Sequence, residues 1–219
     1  MIAYIFLTAY FVIAGLNLFA TKKENKKLNY ITKPLLMPML ALFYVFGVPM
    51  ANINWLIVAG LICGMMGDIF LMLEENWFIY GMGAFLLNQI LYTIAFFLSI
   101  TNIAAFPIWG LFLLAPVLLI LYFNMPKFMH KLGELKIPVY IYMVVILIMH
   151  ISALLTLAEF NGLPFIFIYL GSLLYVFSDS FVAIETFEKE TPQAGLIAMV
   201  TYILCQLYIT LGAVFISLV

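Results

Sequence analysis

The chain has 219 residues, 67% hydrophobic and 9% charged, with mean hydropathy +1.21 and a formal net charge of −1. Ordinary soluble domains carry about 25% charged residues, so the composition excludes one and requires an integral membrane protein. All nine basic residues are lysines with no nucleic-acid-binding patch among them, and Cys63 and Cys205 lie in apolar segments, where buried single thiols are expected instead of a disulfide or zinc site.

A spanning helix needs about 20 mostly apolar residues. On that basis the sequence predicts an all-α bundle of eight transmembrane helices, at 2–20, 31–48, 53–73, 78–100, 105–124, 137–158, 163–184 and 194–217. The first run has no positive residues before it and no small-residue cleavage site, and lysines follow it, so it reads as a span and not as a signal peptide. Polar punctuation separates the spans: Lys22 to Asn29, Gly47 to Asn54, Glu74-Glu75-Asn76, Thr101 to Pro107, Pro126 to Lys136, Asn161 to Pro164, and Glu185 to Gln193. Lys22, Lys23, Lys26, Lys27 and Lys33 flank the first connection, Lys127, Lys131 and Lys136 the fifth, and Lys189 the seventh. Eight spans put all of these on one side, which the positive-inside rule makes cytoplasmic, with both termini outside.

Two stretches dominate the pattern. Gly60 to Glu74, GLICGMMGDIFLMLE, carries Asp68 inside an apolar run, and Gly171 to Glu185, GSLLYVFSDSFVAIE, carries Asp179 at the same spacing from its glycine and its glutamate. Asp68 and Asp179 are the only aspartates in the protein. An ionised side chain at membrane depth costs roughly 2.5–3.5 kcal/mol on insertion scales, which makes such residues functional hypotheses; the plainer reading is a hydrogen-bonded packing residue. Both predicted helices run from outside to inside, so each carboxyl lies about 9 Å within the inner face, at six residues of 1.5 Å rise. Sharing one cavity, the two would divide the roles of general acid and general base, in either order.

The echo extends to Phe85–Gln89 against Tyr202–Gln206, and to Lys33-Pro34 against Lys136-Ile137-Pro138. It suggests one membrane domain over 1–219, built as a parallel duplication of a four-helix unit with halves of about 1–104 and 105–219. Gln89 and Gln206 are span amides that serve either packing or a site. Lys33 reads either as a snorkelling anchor ahead of a first-turn proline or as a cation for a phospholipid headgroup. Tyr92, Tyr140, Tyr175 and Tyr202 are candidates to line the same cavity, with packing as the commoner role of a tyrosine. Ser178 is placed to bond Asp179, and no nucleophile elbow surrounds it. His150 falls about 20 Å along its span from the inner boundary, too far to partner the aspartates, and His130 sits in a solvated loop. No metal motif is visible, and no cofactor is expected.

The KPLLMP run at 33–38, GMMGDIFLM at 64–72, GMGAFLLNQILY at 81–92, Pro138-Val139-Tyr140 and FSDSFVA at 177–183 together resemble the YhhN-like, or lysoplasmalogenase (alkenylglycerophospholipid hydrolase), family of membrane proteins. The resemblance runs through nearly the whole chain and implies eight spans and hydrolysis of the vinyl-ether bond of lysoplasmalogens. The products are a fatty aldehyde and a glycerophospho-headgroup. The implied site has Asp68 and Asp179 as its catalytic pair, with Lys33, Gln89, Tyr92, Tyr140, Ser178 and Gln206 around a lysophospholipid in the cytoplasmic leaflet of a bacterial inner membrane. Where the family's fourth helix is expected to read Gly-His, this chain has Asn88-Gln89, a departure that bears on proton transfer. The competing classes are a proton-coupled or small-solute transporter using the same aspartates, and a lipid-binding protein without turnover.

Overall fold

The computed structural model describes residues 2–73, 75–188 and 193–219, and all its regular structure is helical. Glu74, predicted to bound the third span, and Lys189, counted among the topology lysines, lie outside the described residues. Among the described residues eight helices are long and apolar enough to cross a membrane. They are α1 (Ile2–Lys22), α2 (Lys26–Gly47), α3 (Trp55–Met72), α4 (Phe78–Leu98), α5 (Ala115–Phe128), α6 (Lys136–Leu155), α7 (Leu163–Phe187) and α8 (Ala194–Leu218). Turns of 3₁₀ helix lengthen two of them, so that the fifth span covers Ile108–Lys131 and the sixth Gly133–Ala158. Large apolar side chains face outward, Ile108 and Phe112 at 82% exposure, as hydrocarbon surroundings require.

Three of the differences from the predicted helix ends lie at the lysine-bearing end and bear on the site. α2 starts at Lys26, five residues earlier than predicted, because the Asn25 side chain accepts a hydrogen bond from the Leu28 amide at 3.1 Å and caps it. Pro34 and Pro38 are therefore interior, not first-turn, residues, and each removes one helical hydrogen bond. α5 runs through Pro126 to Phe128, where the sequence suggested a loop. α7 continues to Phe187, which puts Glu185 on the helix.

α8 is the most deeply enclosed helix and packs on α7, α2 and α1. α3 lies along α4 and α2, and α7 along α8 and α6. α1 lies along α2, whereas α5 packs on α7 and scarcely meets α6. Backbone proximity of α7 and α8 depends on two glycines: a Cβ on Gly171 would stand 2.8 Å from the Ile209 nitrogen and 3.1 Å from the Cys205 oxygen, and one on Gly212 would stand 3.0 Å from the Ile168 nitrogen. Small residues at such crossings replace the hydrophobic drive that lipid does not supply.

Buried polar groups are joined across helices. The Tyr10 hydroxyl donates to the Ile203 carbonyl at 2.7 Å, and His150 sits buried with Nδ1 2.9 Å from the Ser172 hydroxyl, a packing role remote from the aspartates. At the lysine-free end the Thr101 hydroxyl and amide both donate to the Glu159 carboxylate, at 2.6 and 2.9 Å, tying two loops and holding that carboxyl below its ordinary range.

Replacing Gly171 with Ala puts a methyl against backbone that no rotamer change can move. We expect a loss of about 1–3 kcal/mol, read as a lowered unfolding temperature in detergent. Gly15→Ala, where the added methyl meets nothing within 4 Å, is the neutral control.

Candidate active site

A cavity of about 650 Å³ opens at the lysine-bearing end, lined by every helix except α1. Its size suits a small-molecule site. Asp68 of α3 and Asp179 of α7 both line it.

Asp68 is 1% exposed. Residues 60, 64, 67 and 68 share one face of α3, and the absence of side chains at the three glycines lets neighbouring rings lie on the helix. A Cβ at Gly67 would enter the Phe85 ring, and one at Gly64 would stand 3.4 Å from the Tyr202 hydroxyl. That closeness carries Tyr202 of α8 onto the carboxylate, where its hydroxyl donates to Oδ2 at 2.9 Å. The other oxygen, Oδ1, is 3.4 Å from the Lys33 ammonium, whose side chain is 18% exposed.

Asp179 has a different environment. The Tyr142 hydroxyl and the Gln89 amide, the latter at 3.1 Å, both donate to Oδ2. Among the described residues Oδ1 takes no hydrogen bond and no cation lies within ion-pair distance, and the half-buried carboxyl faces the cavity. An oxygen that accepts two hydrogen bonds is unavailable to a proton, so any proton on this carboxyl sits on Oδ1, towards the cavity.

A shell of amides and phenols stands behind the pair. Tyr92 donates to Gln206 Oε1 at 2.8 Å, Tyr175 donates to Asn88 Oδ1 at 2.8 Å, and Asn88 donates to the Gly60 carbonyl at 2.6 Å. All four of these side chains are buried outside the cavity wall. Each aspartate accepts one hydrogen bond from the opposite half of the chain, Asp68 from Tyr202 of α8 and Asp179 from Gln89 of α4, and has one partner in its own half, Lys33 of α2 and Tyr142 of α6.

The structure brings some of the residues expected from the sequence to the cavity and sets others behind or outside its wall. Gln89 reaches Asp179, whereas Tyr92 and Gln206 bond each other behind the wall. Ser178 does line the cavity but donates to the Ala198 carbonyl at 2.9 Å instead of to Asp179. Tyr140 is 42% exposed on the outer face of α6, and the tyrosine that faces inward is Tyr142. The signal for this was present: Val139, Ile146, Met149, His150 and Ala153 form the buried stripe of α6, and position 142 falls on that stripe while 140 does not. From the sequence Lys33 reads either as a snorkelling anchor or as a headgroup cation, at the interface in both cases. With α2 starting at Lys26 it lies two turns in, level with Asp68, and is committed to that carboxylate. Among the described residues no three His, Cys, Asp or Glu side chains gather as metal ligands.

A family model described as the YhhN family matches residues 28–213, a span that contains both aspartates and each of their polar partners. The chain belongs to the YhhN family. It is similar to the lysoplasmalogenase TMEM86B of Rattus norvegicus, 32% identical over 181 residues, which is 83% of this chain and 70% of that protein. It is also similar to the lysoplasmalogenase TMEM86B of Mus musculus, 28% identical over 165 residues, 75% of this chain and 66% of that one. No solved structure matches the chain.

Removing one member of a buried ion pair leaves an uncompensated charge, at a cost of about 3–5 kcal/mol. Lys33→Met is therefore expected to lower the unfolding temperature sharply, and Lys33→Met with Asp68→Asn to recover more than half of the loss. Additive losses in a double-mutant cycle would show that the two groups do not interact.

Proposed function

We propose that this protein hydrolyses the vinyl-ether bond of lysoplasmalogens, releasing a fatty aldehyde and a glycerophospho-headgroup, with Asp179 and Asp68 in different roles. The observation that carries the reading is the unequal pair of carboxyls on one cavity, in a family whose relatives bear the name lysoplasmalogenase.

A vinyl ether is opened by proton transfer to the carbon beta to its oxygen, which leaves an oxocarbenium ion. Asp179 gives that proton from Oδ1, the oxygen that faces the cavity, while Tyr142 and Gln89 take up the charge appearing on Oδ2. Asp68, kept as a carboxylate by Lys33 and Tyr202, is a fixed negative charge opposite the cation. Its near-complete enclosure suits it to electrostatics better than to proton traffic. Water adds to the cation and Asp179 takes back a proton, so the resting state is restored; the hemiacetal then collapses to aldehyde and alcohol. Glycosidases stabilise a similar cation with two carboxyls. Gln89 at the place where the family pattern expects histidine then acts as a hydrogen-bond donor to Asp179, not as a proton carrier. The apolar wall, with Met82, Phe85, Met125 and Ile146, suits a single alkenyl chain. The lysine-bearing end faces the cytoplasm in this reading, and the repeated Gly-Asp-Glu spacing reflects a duplicated four-helix unit.

The test is aldehyde release from a purified lysoplasmalogen in detergent. Asp179→Asn should lower kcat by about 10³, Asp68→Asn by about 10², and Tyr142→Phe by about tenfold with KM unchanged. In D2O the aldehyde should carry deuterium on the carbon next to its carbonyl. Wild-type turnover in Asp179→Asn would overturn the mechanism, and lipid binding without any aldehyde from the wild type would overturn the reaction.

A further inference from the structure

Five charged side chains line the cavity among the described residues, and the chemistry above occupies three of them, Lys33, Asp68 and Asp179. The other two, Lys26 of α2 and Glu185 of α7, are both exposed at its mouth, and neither forms an ion pair among the described residues. They are placed by helix geometry. Asn29 and Tyr30 each stand three or four residues from both Lys26 and Lys33, so a single face of α2 carries the cavity wall from mouth to depth. On α7, Ser178, Val182 and Glu185 do the same. Six residues, about 9 Å of rise, separate Asp179 from Glu185, a span that a glycerol phosphate arm crosses. The carboxylate of Glu185 rests directly on Gly195 of α8, where any Cβ would collide with it.

We propose that Lys26 and Glu185 form a headgroup subsite for a zwitterionic single-chain phospholipid, Lys26 taking the phosphate and Glu185 the amine. The assignment rests on the substrate reading above and goes further by naming the residues that select the headgroup. Lys33 is already neutralised by Asp68, which leaves Lys26 as the phosphate cation. An uncharged mouth would accept any headgroup; a carboxylate lining the same cavity as the ammonium favours a ligand with both charges and disfavours a bare phosphomonoester. Glu185 is then a specificity residue, with no part in the bond that breaks.

Binding tests this without any need for turnover. Lysophosphatidylethanolamine and lysophosphatidic acid of the same acyl chain, neither of them a vinyl ether, are competed against a fluorescent single-chain lipid on the full-length protein in detergent. The wild type should prefer the ethanolamine lipid. Glu185→Gln, an isosteric change at an exposed position, should weaken that lipid about tenfold and leave lysophosphatidic acid unchanged or tighter. Lys26→Gln should weaken both. Equal effects of Glu185→Gln on the two lipids, or none on either, would overturn the amine assignment, and unaltered affinities in Lys26→Gln would overturn the phosphate assignment. Each of these results reads the same way whether or not the protein releases aldehyde.

Discussion

An ammonium and a carboxylate 3.4 Å apart, in a bundle whose outer surface is hydrocarbon-facing, constrain most of this structure. Neither Lys33 nor Asp68 is tolerable at that depth alone, and each makes the other acceptable. The pairing requires α2 to start early enough that Lys33 lies two turns inside, and Asn25 supplies that start. It requires α3 to lie along α2, which it does. It also requires a donor for the second carboxylate oxygen, which Tyr202 provides only because Gly64 lets α8 approach.

The second aspartate has the same spacing in sequence and a contrasting fate. Asp179 meets phenol and amide donors where Asp68 meets a cation. Local motif similarity therefore does not produce chemical equivalence: partners come from other helices, and α2 supplies a lysine to one site while α6 supplies a tyrosine to the other. The proposed division of roles between two identical side chains in a single cavity rests on that difference in surroundings.

The loose association of α5 fits the same picture. It packs on α7 through Asn124, which donates to Ser180 at 2.9 Å, and barely touches its sequence neighbour α6, although both line the cavity. The wall nearest these helices is rich in methionine, with Met125 and Met143, side chains able to adapt to a flexible chain.

Eight spans, the single lysine-bearing end and the two carboxyls within spans were legible in the sequence, because hydropathy, lysine placement and the cost of charge in lipid act locally and leave a one-dimensional trace. The inward face of α6 was legible too, since the stripe through Val139, Ile146 and Met149 includes position 142; choosing Tyr140 ignored that period. What the tertiary structure alone decided was partnership. Lys33 to Asp68, Gln89 to Asp179 and Tyr202 to Asp68 join residues far apart in the chain, and each depends on which helices touch and at what rotation. In an apolar chain nearly every face satisfies hydropathy, so helix rotation is set by glycine contacts and a few polar bonds that no periodic pattern encodes.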